Sequence, residues 1–241
     1  MEKKVHFIDC GIISFEKAWQ LQTGLLEEKS AKKIYARSHP EEMPEPIPNH
    51  LLFCEHNHVY TLGKSGSEEN LLLHLGELGN QGIEFFKINR GGDITYHGPG
   101  QLTGYPILDL EQFFTDIHKY MRFLEDVIIK TCAHYEIDAG RIPGLTGVWV
   151  NWKTPENGRK ICALGVHMSR WITMHGFGLN VNTDLRYFDH IIPCGITDKG
   201  VTSIARELGR TMDMNEVKSV VKTAFEDIFQ VELLLADTQK D

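Results

Sequence analysis

Two periodicities divide the chain. Apolar residues recur every three to four positions over 115–135, where Ile117, Met121, Leu124, Ile128 and Cys132 share one stripe, and again from Met214 to Phe229. Both stretches predict amphipathic helices that bury one face. Ser14 precedes a weaker stripe of Ala18, Leu21, Leu25 and Ile34, which predicts an N-capped helix to about Arg37. Elsewhere β-branched and aromatic residues gather in short runs bounded by turn residues. These are 4–9, 51–55, 59–62, 83–89, 94–97, 102–110, 146–152, 161–169, 172–181 and 231–235. Residues 51–55 and 59–62 read as a strand pair folded about His56-Asn57-His58, and Leu71 to Gly82 as a weak helix or loop. Four prolines and three glutamates make 39–48 a surface loop too short to link domains. Strands that cluster in hairpins rather than alternating with helices point to an α+β fold. The expected architecture is a mixed, largely antiparallel sheet with packed helices, one domain over residues 1–241.

Composition narrows the class. A chain of 241 residues can bury one substantial core. A net charge of −8 argues against non-specific nucleic-acid binding. No run of apolar residues is long enough for a membrane helix, and the amino terminus enters a strand-like run without a signal-peptide core. The five cysteines, Cys10, Cys54, Cys132, Cys162 and Cys194, form no CxxC pair and are odd in number. That usage suits free thiols in a reducing, cytoplasmic compartment away from membranes.

Candidate chemistry centres on residues 90–101, where Gly91, Gly92, Gly98 and Gly100 surround the short strand Ile94-Thr95-Tyr96-His97. Glycine at that density marks tight turns or close backbone approach, and turns that display convergent polar groups line pockets. A bulged structural hairpin is the plain alternative. Cys54, Cys132 and Cys162 sit among apolar neighbours and read as small buried hydrophobes, and Cys10 stands at a strand end. Cys194 differs, because Pro193 and Gly195 place it in a rigid turn. A cysteine nucleophile needs a neighbour that favours thiolate. Lys160, which opens the strand at 161–169, is the candidate, with His97 and His175 as rivals that would make a Cys–His dyad. His56 and His58 form an HxH pair, but without an evident third ligand no metal site is expected.

Together these segments resemble the lipoyl(octanoyl) transferase family, within the wider biotin/lipoate protein ligase fold group. The matching stretches, in family order, begin with Glu55-His56, Val59 to Gly63 and Arg90 to Gln101. They continue with Gly147-Val148-Trp149, Lys160 to Gly165, His175 to Asn182 and Pro193-Cys194-Gly195. Two departures are visible, His58 where proline is common and a longer loop at 39–48.

The resemblance implies octanoyl transfer from octanoyl-acyl carrier protein to a lysine of a lipoyl-accepting domain, through a thioester on the enzyme. The acceptors it implies are lipoyl domains of 2-oxoacid dehydrogenases or the glycine cleavage H protein. By motif match Cys194 would be the nucleophile and Lys160 the residue that lowers its pKa and moves protons. Arg90, Gly91, Gly92, Asp93, Ile94, Thr95, Tyr96 and His97 would line the acyl pocket, with Ala163, Leu164, Gly165, Gly176, Phe177 and Gly178. No cofactor and no ATP enter on this reading. The alternative within the same fold group is an ATP-dependent lipoate- or biotin-protein ligase, which needs no cysteine nucleophile. A third reading is an acyl-binding protein without turnover.

Overall fold

The computed structural model describes residues 3–42, 46–192 and 199–235. In chain order the elements begin β1 (Lys3–Ile12), α1 (Phe15–Ser38), β2 (Asn49–Glu55), β3 (Val59–Leu62), α2 (Leu75–Asn80), β4 (Glu84–Lys87), β5 (Ile94–His97) and β6 (Gln101–Ile107). They continue α3 (Ile117–His134), β7 (Ala139–Ile142), β8 (Leu145–Val150), β9 (Arg159–Ser169), β10 (Ile172–Asn180), β11 (Gly200–Val201), α4 (Ile204–Leu208), α5 (Met214–Phe229) and β12 (Val231–Leu235). Among the described residues the main sheet runs β12-β1-β2-β6-β10-β9-β8-β7, with β11 added beside β9. A small sheet, β4-β3-β5, stands apart from it. Antiparallel pairing carries the centre of the main sheet, while β1 is parallel to both β2 and β12. The expected α+β class holds.

Period-two alternation sends the central strands' side chains to opposite faces. Leu51, Phe53, Leu102, Phe177 and Leu179 join the core under α3 and α5, whereas Leu52, Cys54, Tyr105, Ile107 and Met174 join the core under α1. Asp116 and Asp213 cap α3 and α5 by accepting from the backbone amides of Lys119 and Asn215. Ser14 caps α1 by accepting from Lys17 N.

Two expectations are corrected. Residues 51–55 and 59–62 are both strands, but they do not pair: β2 joins β1 and β6 in the main sheet, and β3 joins β4 and β5 in the small one. His56, between them, is buried with Nδ1 2.8 Å from Ile13 O and Nε2 2.7 Å from the Tyr105 hydroxyl. A carbonyl only accepts, so Nδ1–H donates and Nε2 receives the Tyr105 proton. The chain therefore turns out of one sheet into the other at this residue. The stripe expected of α1 holds at Ala18 and Leu25, which meet the core, and fails at its other two positions. Leu21 and Ile34 are exposed, and the buried face carries Gln22, Lys29 and Lys33 among its members. Lys33 reaches Asp109 at 2.5 Å and Arg170 O at 3.0 Å, so a polar contact does there what an apolar one was expected to do. Short elements β7, β11 and α4 were not anticipated, being too brief to show a period.

Candidate active site

The glycine-rich stretch folds as a loop pinned on two sides. Lys64 N donates to Arg90 O at 3.0 Å and Ser65 N to Gly92 O at 3.2 Å, so the turn after β3 grips it from one side. From the other, Gly91 N donates to Val166 O at 2.8 Å on β9. This approach needs Gly165, because a Cβ there would stand 2.9 Å from Gly91 O. The Arg90 guanidinium is buried and donates to Thr61 O at 2.6 Å, Thr61 Oγ1 at 3.0 Å and Gly91 O at 3.1 Å.

Between this loop, β5, β9 and β10 lies a cavity of about 570 Å³, within the range of small-ligand sites. It is lined by residues 90–95, His97, 163–165 and 176–178, and by Lys160 and His175. Of the sequence-derived pocket residues, Tyr96 alone is absent from the lining. It packs in the core of the small sheet, where its hydroxyl lies 2.7 Å from His58 Nδ1. Asp93 lines the cavity but is engaged: its carboxylate accepts from Ile94 N at 2.7 Å and from Asn70 Nδ2 at 2.5 Å.

The two cavity histidines are neutral. His97 Nδ1 lies 2.7 Å from Gln101 Oε1, and Gln101 Nε2 donates to Tyr96 O at 3.1 Å and Asn180 Oδ1 at 2.9 Å. With the amide so oriented, Nδ1–H of His97 donates and Nε2 keeps the lone pair. Burial, reinforced by His56 and Arg90 nearby, drives the His97 pKa down to about 3. His175 holds a positive φ of 60° and places Nε2 2.8 Å from Asn89 Oδ1. Burial and the Arg90 charge likewise lower its pKa to about 3. Groups this reluctant to take a proton are poor thiol bases, which disfavours the Cys–His alternative.

Lys160 is only 8% exposed and its Nζ lies 4.7 Å from the centroid of the Trp149 ring. Cys194 lies outside the described residues. Cys54, Cys132 and Cys162 are buried, and burial pushes the Cys132 thiol up to about 12. That fits their role as packing groups. His56 and His58 turn to different partners, Ile13 and Tyr105 against Tyr96 and Tyr187. Among the described residues no group of three or more His, Cys, Asp or Glu is placed to hold a metal ion. None of their helices is long and apolar enough to cross a membrane.

Sequence reasoning missed Phe15, Tyr105, Met121, Phe188 and Val201 as cavity residues. All but Tyr105, on the strand that follows the glycine-rich stretch, come from elements remote from it, and no local pattern signals that convergence.

The fold and its loop-lined cavity define an α+β protein with a site of small-ligand size among the described residues. Residues 16–226 match the family described as the lipoyl protein ligase A/B catalytic domain, and the chain belongs to that family. It is 55% identical to the octanoyltransferase of Flavobacterium johnsoniae over 97% of this chain and 100% of that protein. With the octanoyltransferase of Cytophaga hutchinsonii it shares 52% identity over 96% of this chain and 95% of that one. The same fold occurs in the bipartite lipoate protein ligase of Thermoplasma acidophilum, at TM-score 0.71 and 14% identity, over 97% of this chain and 87% of that one.

Proposed function

We propose that the protein is an octanoyltransferase that carries an octanoyl group from octanoyl-acyl carrier protein to a lysine amine of a lipoyl-accepting domain, by way of a thioester on Cys194. The observation that carries this reading is the cavity in which the Arg90 loop, two neutral histidines and Lys160 converge. An apolar lining of Ile94, Leu164 and Phe177 suits an alkyl chain, and Lys160 puts an amine on the same cavity.

In the first step the Cys194 thiolate attacks the donor's thioester carbon. The carbon–sulfur bond to the carrier's pantetheine breaks, and that sulfur leaves as a thiol with the proton Lys160 supplies. In the second, the acceptor's neutral lysine amine attacks the enzyme thioester. The amide forms, Cys194 leaves as thiolate, and Lys160 takes the proton lost by the amine. Thioester for thioester is near balance and amide formation is downhill, so no nucleotide is consumed.

The described residues on either side of the cysteine are tied into the fold. Ile192 N donates to Asn70 O at 2.8 Å before it, and Val201 is registered opposite Lys160 after it.

Intact-mass analysis after mixing with octanoyl-acyl carrier protein, without ATP, tests the reading. Wild type is expected to gain one octanoyl group and Cys194→Ser none. Labelling that appears only with ATP and free octanoate would instead identify a ligase.

A further inference from the structure

The Gly147-Val148-Trp149 segment has no part in the chemistry described so far, yet it touches the amine. In the β8–β9 register Trp149 lies opposite Lys160, with the pairing shifted by a bulge between Val148 and Trp149. Gly147 sits at φ 119°, and a Cβ there would come within 2.8 Å of Cys162 O and 3.3 Å of Lys160 Cε. Lys160 therefore lies across a glycine and ends over an indole, where its Nζ is 4.7 Å from the ring centroid. Beneath the bulge Glu125 of α3, with no solvent exposure, accepts from Gly147 N at 3.2 Å. Its other oxygen pairs with Arg141 Nε at 2.7 Å and Arg122 NH1 at 2.9 Å.

The indole itself carries a clue. Trp149 is 1% exposed, and its N–H finds no acceptor among the described residues. Packing alone would be met as well by phenylalanine, which strands no donor. What tryptophan adds is the strongest ring face for a cation.

We infer that Trp149 is a positioning residue for Lys160: its ring and the bare Gly147 backbone form a slot, anchored by Glu125, that holds the lysine's amine toward the cavity. The inference rests on the assignment of Lys160 to proton transfer. The slot bounds the stem of a long side chain on two sides, the indole face and the Gly147 backbone.

Single-turnover acylation by octanoyl-acyl carrier protein, followed by intact mass across pH, is the test. Trp149→Leu is expected to slow acylation about tenfold, the loss of a desolvated cation–π contact. Trp149→Phe should recover part of that rate, and the pH at which the rate changes should move in Leu more than in Phe. Gly147→Ala, which fills the slot from its other side, should slow acylation comparably with the ring intact. Thermal melts identify a variant that fails to fold, and Trp149→Phe then carries the comparison with wild type. If Lys160→Ala slows the reaction while Trp149→Leu, Trp149→Phe and Gly147→Ala all keep the wild-type rate and pH profile, the slot is overturned and the lysine's role stands. If Lys160→Ala itself is indistinguishable from wild type, the assignment of the lysine falls first.

Discussion

On one side of the cavity Arg90, His97 and His175 are each bound to fixed partners: Thr61 and Gly91 for the arginine, Gln101 and Asn89 for the imidazoles. On the other side Lys160 leans on a ring face, across a glycine, at the bulged junction of β8 and β9. The first wall has its hydrogen bonds directed inward to the protein and its histidines held neutral, so its polar groups are already engaged. The second keeps a titratable amine in contact with the cavity. On the proposed function, binding and chemistry fall to different elements, and a substitution on one wall is expected to leave the other's task recognisable.

The largest test of that division is Lys160→Ala. Removing a general acid–base is expected to cost about 10²–10⁴ in the rate of acyl transfer. Melting curves separate this loss from any contribution of the buried side chain to stability. A variant that unfolds would show the amine wall to be structural. Gly165→Ala probes the binding wall, because the new Cβ would press on Gly91 O at 2.9 Å and lift the Arg90 loop. Overpacking of this kind costs about 1–3 kcal/mol. The effect should appear in the donor concentration needed for half-maximal acylation more than in the limiting rate.

Acid should weaken the binding wall through its histidines. His97 and His175 have folded-state pKa values of about 3 against an ordinary 6.5, and His50 and His56 stand at about 4. All four are depressed by burial, so the unfolded chain takes up protons first as pH falls. Stability is full above about 6.5 and declines toward pH 4, by up to about 1.4 kcal/mol per pH unit for each such histidine. Melting curves between pH 7 and 4 measure this, and a flat profile would contradict the neutral-imidazole wall. The smallest expected effect is that of Thr61→Val, which keeps the carbonyl that binds Arg90 but deletes the hydroxyl. A loss of about 1 kcal/mol in chemical denaturation is expected, with acyl transfer retained.

Much of this was readable from residue order. The stripe of Ile117, Leu124, Ile128 and Cys132 gives α3, and Met214 to Phe229 are the bounds of α5, because a helix face against a sheet leaves a 3.6-residue signature. The pocket residues of the Arg90 loop, β9 and β10 were legible as glycine-rich motifs and do converge, Tyr96 excepted. Tyr96 sits among them in sequence, but its ring packs against Tyr60 and Tyr187 in the core of the small sheet. The pairing of β2 with β6, and not with β3, was hidden because a short connection between strands looks the same whether it closes a hairpin or passes between sheets. The buried face of α1 was hidden for another reason. Lys29, Lys33 and Gln22 look solvated until Asp109, His50 and the His175 backbone arrive from elsewhere to meet them.

Local order of residues by itself determined the helices, most strands, the turns that glycine permits and the set of groups able to do chemistry. Those follow from backbone sterics and from periodic burial, which act between near neighbours. Tertiary structure alone decided that Phe15 and Val201 share a cavity with the Arg90 loop, that two histidines there stay neutral, and that Lys160 rests on Trp149. Each depends on desolvation or contact between segments far apart in the chain, and such energies exist only once the sheet has brought those segments together.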